Sequence, residues 1–147
     1  MGYISEMRKV VGSKPIIMAG ACVIVINESN QILLQLRKDN DCWGLCGGAL
    51  EMGETLEQAA KRELEEETGL IAKDLNLFDV FSGPSLYYQY PNGDEVYMVV
   101  SAYICRNYSG SLVEEKSEVA ALQFFSIDEL PSNISPPDLP VIEKFLD

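Results

Sequence analysis

Between residues 54 and 67 the chain gathers carboxylates at a spacing suited to metal chemistry. Glu63, Glu66 and Glu67 are related by i,i+3 and i,i+4. At about 100° per residue, all three project from one face of a helix. Leu56, Ala60 and Leu64 form an apolar stripe that overlaps and flanks that face, so the acids sit at the edge of the buried side. Alone, the arrangement is unfavourable. Like charges at i,i+4 cost about 0.2–0.5 kcal/mol per pair. Acids in the last turns meet the negative end of the helix dipole, at about 0.3–1 kcal/mol each. A bound dication removes that penalty, and an all-oxygen donor set suits Mg2+ or Mn2+ rather than zinc.

Composition narrows the chemistry further. The 147 residues carry a net charge of −12 and include no histidine. The usual general base and the commonest zinc ligand are therefore missing, and acid–base work falls to Asp, Glu, Lys, Tyr or Cys. So acidic a surface repels a nucleic-acid strand. A small anionic substrate stays compatible if a cation screens the contact. With 47% apolar and 23% charged residues, the chain is expected to be one folded domain with its own core. Cys22 and Cys105 lie in apolar runs and read as core thiols, and Cys42 and Cys46 are expected to be reduced with them. The apolar run from Pro15 to Ile26 is too short to span a bilayer and ends in a turn, Asn27-Glu28-Ser29-Asn30, not in a small-residue cleavage site. No membrane association is expected, and the expected compartment is the cytoplasm.

The elements that must position the acids follow from local patterns. Thr55 and Gln58 form a capping box that starts a helix at Leu56, and Gly69 is the expected left-handed stop after Thr68. Tyr3 to Val11 has helical spacing and is closed by Gly12. Whether this extension over residues 1–14 packs on its own domain or on a second copy is open, so a homodimer remains open too. Met18 to Ile26 and Gln31 to Arg37 read as strands of a hairpin. Trp43 to Leu50 is glycine-rich and extended or looped. Leu70 to Tyr90 supplies one or two strands, and the turn Pro91-Asn92-Gly93-Asp94 returns the chain into Glu95 to Cys105. Ala120 to Phe125 is a further strand, Ser126 and Glu129 suggest a capping box for a short helix, and Val141 to Leu146 a last helical turn or two. Mixed strands around one central helix make the class α+β or α/β with a mixed sheet.

Residues 48–70 read GALEMGETLEQAAKRELEEETGL. This stretch resembles the Nudix box, G-x5-E-x7-R-E-U-x-E-E-x-G-U with U apolar, and Gly48, Glu54, Arg62, Glu63, Leu64, Glu66, Glu67, Gly69 and Leu70 fill every specified position. Trp43-Gly44-Leu45, Gly47 and the run from Phe124 to Leu130 are also similar to that family, and the likeness covers roughly residues 17–130. It implies the α+β Nudix fold, a mixed sheet sandwiched between helices. By position, Glu63, Glu66 and Glu67 would hold Mg2+, or Mn2+, with the Gly47 carbonyl. Arg62 and Glu54 would form a supporting ion pair that fixes the loop against the helix. Glu118, six residues before Phe124, would add a ligand or a general base. The family often has proline before the two glycines, and Cys46 in its place would loosen the loop carrying Gly47.

The resemblance implies hydrolysis of a pyrophosphate link in a small nucleotide substrate by metal-activated water. Glu66 and Glu118 are the candidate proton acceptors. Arg37, at a strand end, could reach a phosphate. Of the tyrosines at positions 87, 88, 90 and 97, Tyr88 is the candidate for stacking on a base or ribose. Within the family, a proline some fifteen residues past the box goes with ADP-ribose and a tyrosine slightly further on with dinucleoside polyphosphates. Pro84 and Tyr87 or Tyr88 fit both. A nucleoside diphosphate joined to a second group, such as ADP-ribose, is the first expectation. A nucleoside triphosphate or a dinucleoside polyphosphate is the alternative, and a nucleotide-binding sensor without catalysis is a reading of another class.

Overall fold

The fold is that of a computed structural model, which describes residues 2–113 and 119–147. Its elements are helices α1 (Tyr3–Val11), α2 (Leu56–Thr68) and α3 (Leu139–Leu146), with strands β1 (Ile16–Val25), β2 (Gln31–Arg37), β3 (Trp43–Gly44), β4 (Cys46–Ala49), β5 (Ile71–Ala72), β6 (Asn76–Phe81), β7 (Tyr87–Gln89), β8 (Glu95–Cys105), β9 (Tyr108–Ser109) and β10 (Val119–Ser126). Strands β4, β1, β8 and β6 lie side by side, with β7 also on β8. The β1–β8 pair is parallel and the other pairs antiparallel, so the sheet is mixed. A smaller sheet runs β10-β2-β3, and β5 pairs with β9.

Strand β1 organises the interior. Its side chains alternate between faces, and both faces are covered. Ala21, Val23 and Val25 pack with Ala59, Ala60 and Leu64 of α2. Cys22, Ile24 and Ile26 pack with Ile32, Leu34 and, from α3, Val141 and Ile142. The sheet is thereby held between α2 and α3. All four cysteines are free thiols. Among the described residues, no helix is long and apolar enough to cross a membrane.

Helix α2 has the expected ends. The Thr55 side chain accepts from the Gln58 N–H at 3.1 Å, and Gln58 accepts from the Thr55 N–H at 2.9 Å. Gly69 takes φ 82° and donates its N–H to Glu65 O, closing the last turn in a conformation that favours glycine.

Three expectations are corrected. The β1–β2 hairpin is reduced to a single bridge between Ile26 and Ile32. Both edges of β1 are already taken by β4 and β8, so β2 crosses to pair with β10 and β3. No helix follows Ser126: Glu129 donates its N–H to Ser126 O in a turn, and Pro131 pushes the residue before it away from helical backbone. Cys46 does not loosen its loop. It is fully buried and pairs with Val23 of β1, in a ladder to which a proline could contribute no N–H.

Candidate active site

Strand β4 and helix α2 meet along one side of a cleft of about 540 Å3, where Gly47, Gly48, Glu63 and Glu67 line the wall. Arg37 at the end of β2, Tyr88 and Tyr90 beside β7, and Asp138 before α3 line it elsewhere, and α1 contributes Ile4, Ser5 and Arg8. The register places Gly47 opposite Cys22 and Gly48 opposite Ala21. Gly48 lets Glu63 lie against the backbone, since a Cβ there would come within 2.5 Å of the carboxyl carbon.

Glu67 is the most deeply set of the acids on α2. Its Oε1 accepts from the Gly47 N–H at 2.8 Å, and its Oε2 accepts from Gln35 Nε2 at 3.1 Å. Burial pushes its pKa up to about 8. The Gln35 bond opposes that rise, nearby Glu63 adds to it, and the Gly47 N–H and Arg37 oppose it. Asp138 is pushed up to about 7 by burial, against the Leu45 N–H bond and Arg37.

Arg62 gathers the other acids. It meets Glu54 in a two-pronged contact, Nε to Oε2 at 2.7 Å and Nη2 to Oε1 at 3.0 Å, and Nη2 also donates to Ala49 O at 3.2 Å. Its Nη1 reaches Glu63 at 2.7 Å and Glu66 at 3.4 Å. The hydrogen bond from Arg62 holds Glu54 below the usual carboxylate range. Arg62 and Glu54 thus stand together as an ion pair tying the β4–α2 loop to the helix. Glu66 diverges from its two neighbours: its side chain is 60% exposed, against 17% for Glu63. Glu118 lies outside the described residues. Arg37 faces the cleft with its guanidinium in a two-pronged pair with Asp39, at 2.9 and 2.8 Å. Tyr88 accepts from Asn40 Nδ2 at 2.8 Å and packs edge-on against Tyr90, with ring centroids 4.9 Å apart. Tyr87 and Tyr97 pack on each other with rings tilted by 56°, outside the cleft lining.

Two groups at the site escaped the sequence reading, Gln35 buried behind Glu67 and Asp138 in the cleft lining. Gln35 is 1% exposed, bonds both Glu67 and, at 3.3 Å, Leu45 O, and leaves its Oε1 without a partner. Its signal was a polar residue inside an apolar strand, Ile32-Leu33-Leu34-Gln35-Leu36. Asp138 accepts from the Leu45 N–H at 3.3 Å across 93 residues, and nothing in its proline-rich loop marked it.

A NUDIX domain family model matches residues 17–145. The chain belongs to the Nudix family. It is 36% identical over 110 residues to an ADP-ribose pyrophosphatase of Methanocaldococcus jannaschii, covering 73% of this chain and 61% of that protein. It is 38% identical over 112 residues to a putative 8-oxo-dGTP diphosphatase of Bacillus subtilis, covering 76% of this chain and 68% of that one. Among solved structures, a MutT NUDIX hydrolase from Burkholderia pseudomallei superposes with a TM-score of 0.73 at 29% identity, over 88% of this chain and 97% of that one. The Nudix fold is therefore the fold of this chain. The family stretch holds β1 to α3 but leaves α1 outside it.

The residues fit a hard dication. Two acids face one cleft, one of them is desolvated beside the other, and their carboxylate oxygens are the hard donors such an ion takes, while the nearby thiols of Cys22 and Cys46 are held protonated by burial. Among the described residues, no three His, Cys, Asp or Glu side chains converge as a ready-made cation site. Glu63 and Glu66 share the Nη1 of Arg62, while Glu67 turns to Gly47 and Gln35.

Stability without metal should carry the mark of Glu67. Its folded pKa, about 8, lies above the ordinary 4.5, so the folded state holds the extra proton between those values. Its contribution is full below about pH 4.5 and is lost as pH rises through about 8. Asp138 acts in the same direction between 3.8 and about 7. Urea melts in chelator should show stability falling across this window, by at most about 1.4 kcal/mol per pH unit for each group. A flat or rising profile would contradict these environments.

Proposed function

We propose that this Nudix chain is a Mg2+- or Mn2+-dependent pyrophosphohydrolase acting on a nucleoside diphosphate joined to a second group. The observation that carries this reading is the pairing of Glu63 and Glu67 on one wall of a cleft, at the end of a helix where unneutralised acids are disfavoured. Glu63 and Glu67 would hold the cation, with Glu66 and the Gly47 carbonyl as further ligands. When bound, the ion supplies Lewis-acid activation of water and charge screening of the diphosphate. Arg62 and Glu54 keep the glutamate-bearing helix in register with β4. Arg37 offers a guanidinium to a phosphate, and Tyr88 a ring face edge to a base or ribose. Glu66, exposed and 3.4 Å from Arg62, and Glu118 remain the candidate proton acceptors.

The cleft has two ends along β1. Gly47, Arg37 and Asp138 lie at the end near Cys22, and Met18, Met98 and Ile4 give the other end apolar walls, beside the polar side chains of Ser5, Arg8, Asn92 and Asp94. Met18 and Cys22 are four residues apart, about 13 Å along a strand. That span accommodates a diphosphate at one end and a base-bearing or apolar group at the other. The archaeal relative named for ADP-ribose supports an ADP-ribose-like substrate, and Pro84 opens the turn that delivers Tyr88 to the cleft. The relative named for 8-oxo-dGTP supports a nucleoside triphosphate as the second reading.

The test is a Mg2+-dependent screen of ADP-ribose, dinucleoside polyphosphates, nucleoside triphosphates and 8-oxo-dGTP, scored by phosphate or nucleoside monophosphate release. Turnover abolished by chelator and restored by Mg2+ is expected. Metal-bound protein that binds nucleotide and cleaves none of them would point to a sensor instead.

Gln35 should act through Glu67. Gln35→Leu removes the amide that orients the carboxylate and is expected to weaken Mn2+ binding by about 10–100-fold. The metal-free protein should lose about 1–3 kcal/mol, because Leu45 O and Glu67 Oε2 are left without their donor. Calorimetric Mn2+ titration and urea melts read the two effects separately.

A further inference from the structure

Helix α1 lies outside the family stretch, which begins at residue 17, yet it lines the same cleft as Glu63 and Glu67. None of its residues is buried, and Val10 is 82% exposed. Ile4, Met7 and Val11 are half-buried, so its apolar contacts are partial. Polar attachments hold it at both ends.

At the C-terminal end, Arg8 acts as a clamp. Its Nη1 donates to Gly12 O at 2.9 Å and Lys14 O at 2.7 Å, and its Nη2 donates to Glu95 O at 2.6 Å. Gly12 turns the chain with φ 67°, a conformation that favours glycine. At the N-terminal end the attachment is one carboxylate. The Tyr3 N–H donates to Glu51 Oε1 at 2.8 Å. Gly2 lets that carboxylate in, since a Cβ there would come within 2.8 Å of Oε2. The bond also places an acid on the positive end of the helix, where it is stabilising.

Glu51 is not isolated. Its own N–H donates to Glu54 Oε1 at 3.1 Å, Glu54 is held by Arg62, and Arg62 holds Glu63. A continuous run of hydrogen bonds therefore joins the first turn of α1 to the glutamate wall. Between these attachments, Ile4 faces the apolar end of the cleft, opposite half-buried Met18, Met98 and Val100. Those three are cross-strand neighbours: Met18 pairs with Met98, and Gly20, which has no side chain, with Val100. The result is a slot floored by sheet and roofed by one helix turn.

We propose that α1 is a specificity clamp on the non-phosphate end of the substrate, with Ile4 covering a base or similar planar apolar group and Glu51 acting as the latch. The proposal rests on the reading of the cleft as a pyrophosphohydrolase site. Glu51 is a positioning residue, because it acts through α1. Opening the latch exposes the slot without disturbing the acids that carry the chemistry.

The test combines steady-state kinetics with hydrogen exchange on the full chain. ADP-ribose and 8-oxo-dGTP are the substrates, and AMP is the exchange probe. Saturating AMP should slow exchange over residues 3–11 in the wild type. Glu51→Ala should speed exchange there by about tenfold, and should raise KM by about tenfold with kcat little changed, the pattern of lost uniform binding. Ile4→Ala should raise KM while leaving exchange unchanged. The clamp is overturned if Glu51→Ala frees the helix and KM does not move, or if exchange in Glu51→Ala matches the wild type. Failure of the wild type to cleave either substrate would instead overturn the proposed activity. In that case AMP protection of residues 3–11 still supports the clamp, and its absence overturns it.

Discussion

Glu67→Gln is expected to lower turnover by about 10²–10⁴-fold, the loss of several kcal/mol of cation-derived stabilisation at about 1.4 kcal/mol per tenfold. The fold should survive. Glutamine keeps the shape of the side chain and can still accept the Gly47 N–H, and it removes a carboxylate that burial and Glu63 both disfavour. Metal-free melts above pH 8 should therefore show the variant at least as stable as the wild type. This opposite movement of activity and stability separates a ligand from a structural acid. A purely structural Glu67 would lose stability on substitution, and near-normal turnover would remove it from the site.

Arg62→Ala should be costly in both respects. Its guanidinium contacts Glu54, Glu63, Glu66 and the Ala49 carbonyl. Removing it leaves Glu54 in the loop and Glu63 and Glu66 on the helix without their common cation, and unties the β4–α2 loop. A stability loss of about 1–3 kcal/mol is expected, since half-buried charged partners are left unsatisfied. Turnover should fall by about 10–100-fold, the usual range for groups that orient ligands. Arg62→Lys should recover little, because an ammonium cannot reproduce the two-pronged contact with Glu54. Chemical denaturation and kinetics on the two variants check both parts. Full recovery by lysine would show that charge alone matters there.

What could be read from the residues was what short-range rules determine. The ends of α2 were legible because Thr55, Gln58 and Gly69 act within one turn of the helix they bound. The shared face of Glu63 and Glu67 followed from helical period alone. The greater exposure of Glu66 did not, because it depends on which elements cover that side of the helix. Residues 27–30 signalled a reversal correctly, but which strand β2 would join depended on β4 and β8 having already filled both edges of β1. Gln35 meets Glu67 across 32 residues, and Asp138 meets Leu45 across 93. The polar break at Gln35 in an apolar strand was visible, but no local pattern names a partner at that separation. The N-terminal helix was visible as a helix, yet its place over the cleft comes from Arg8 and Glu51, whose partners are distant in sequence.

The central claim is that the acids on α2 are tolerated because a hard dication neutralises them. The most direct test is Mn2+ binding followed by electron paramagnetic resonance, comparing wild type with Glu67→Gln above about pH 8, where Glu67 is ionised in the metal-free protein. Saturable binding by the wild type, weakened about tenfold or more in the variant, is the expected result. Equal affinity in the two proteins, or no binding by the wild type, would contradict it.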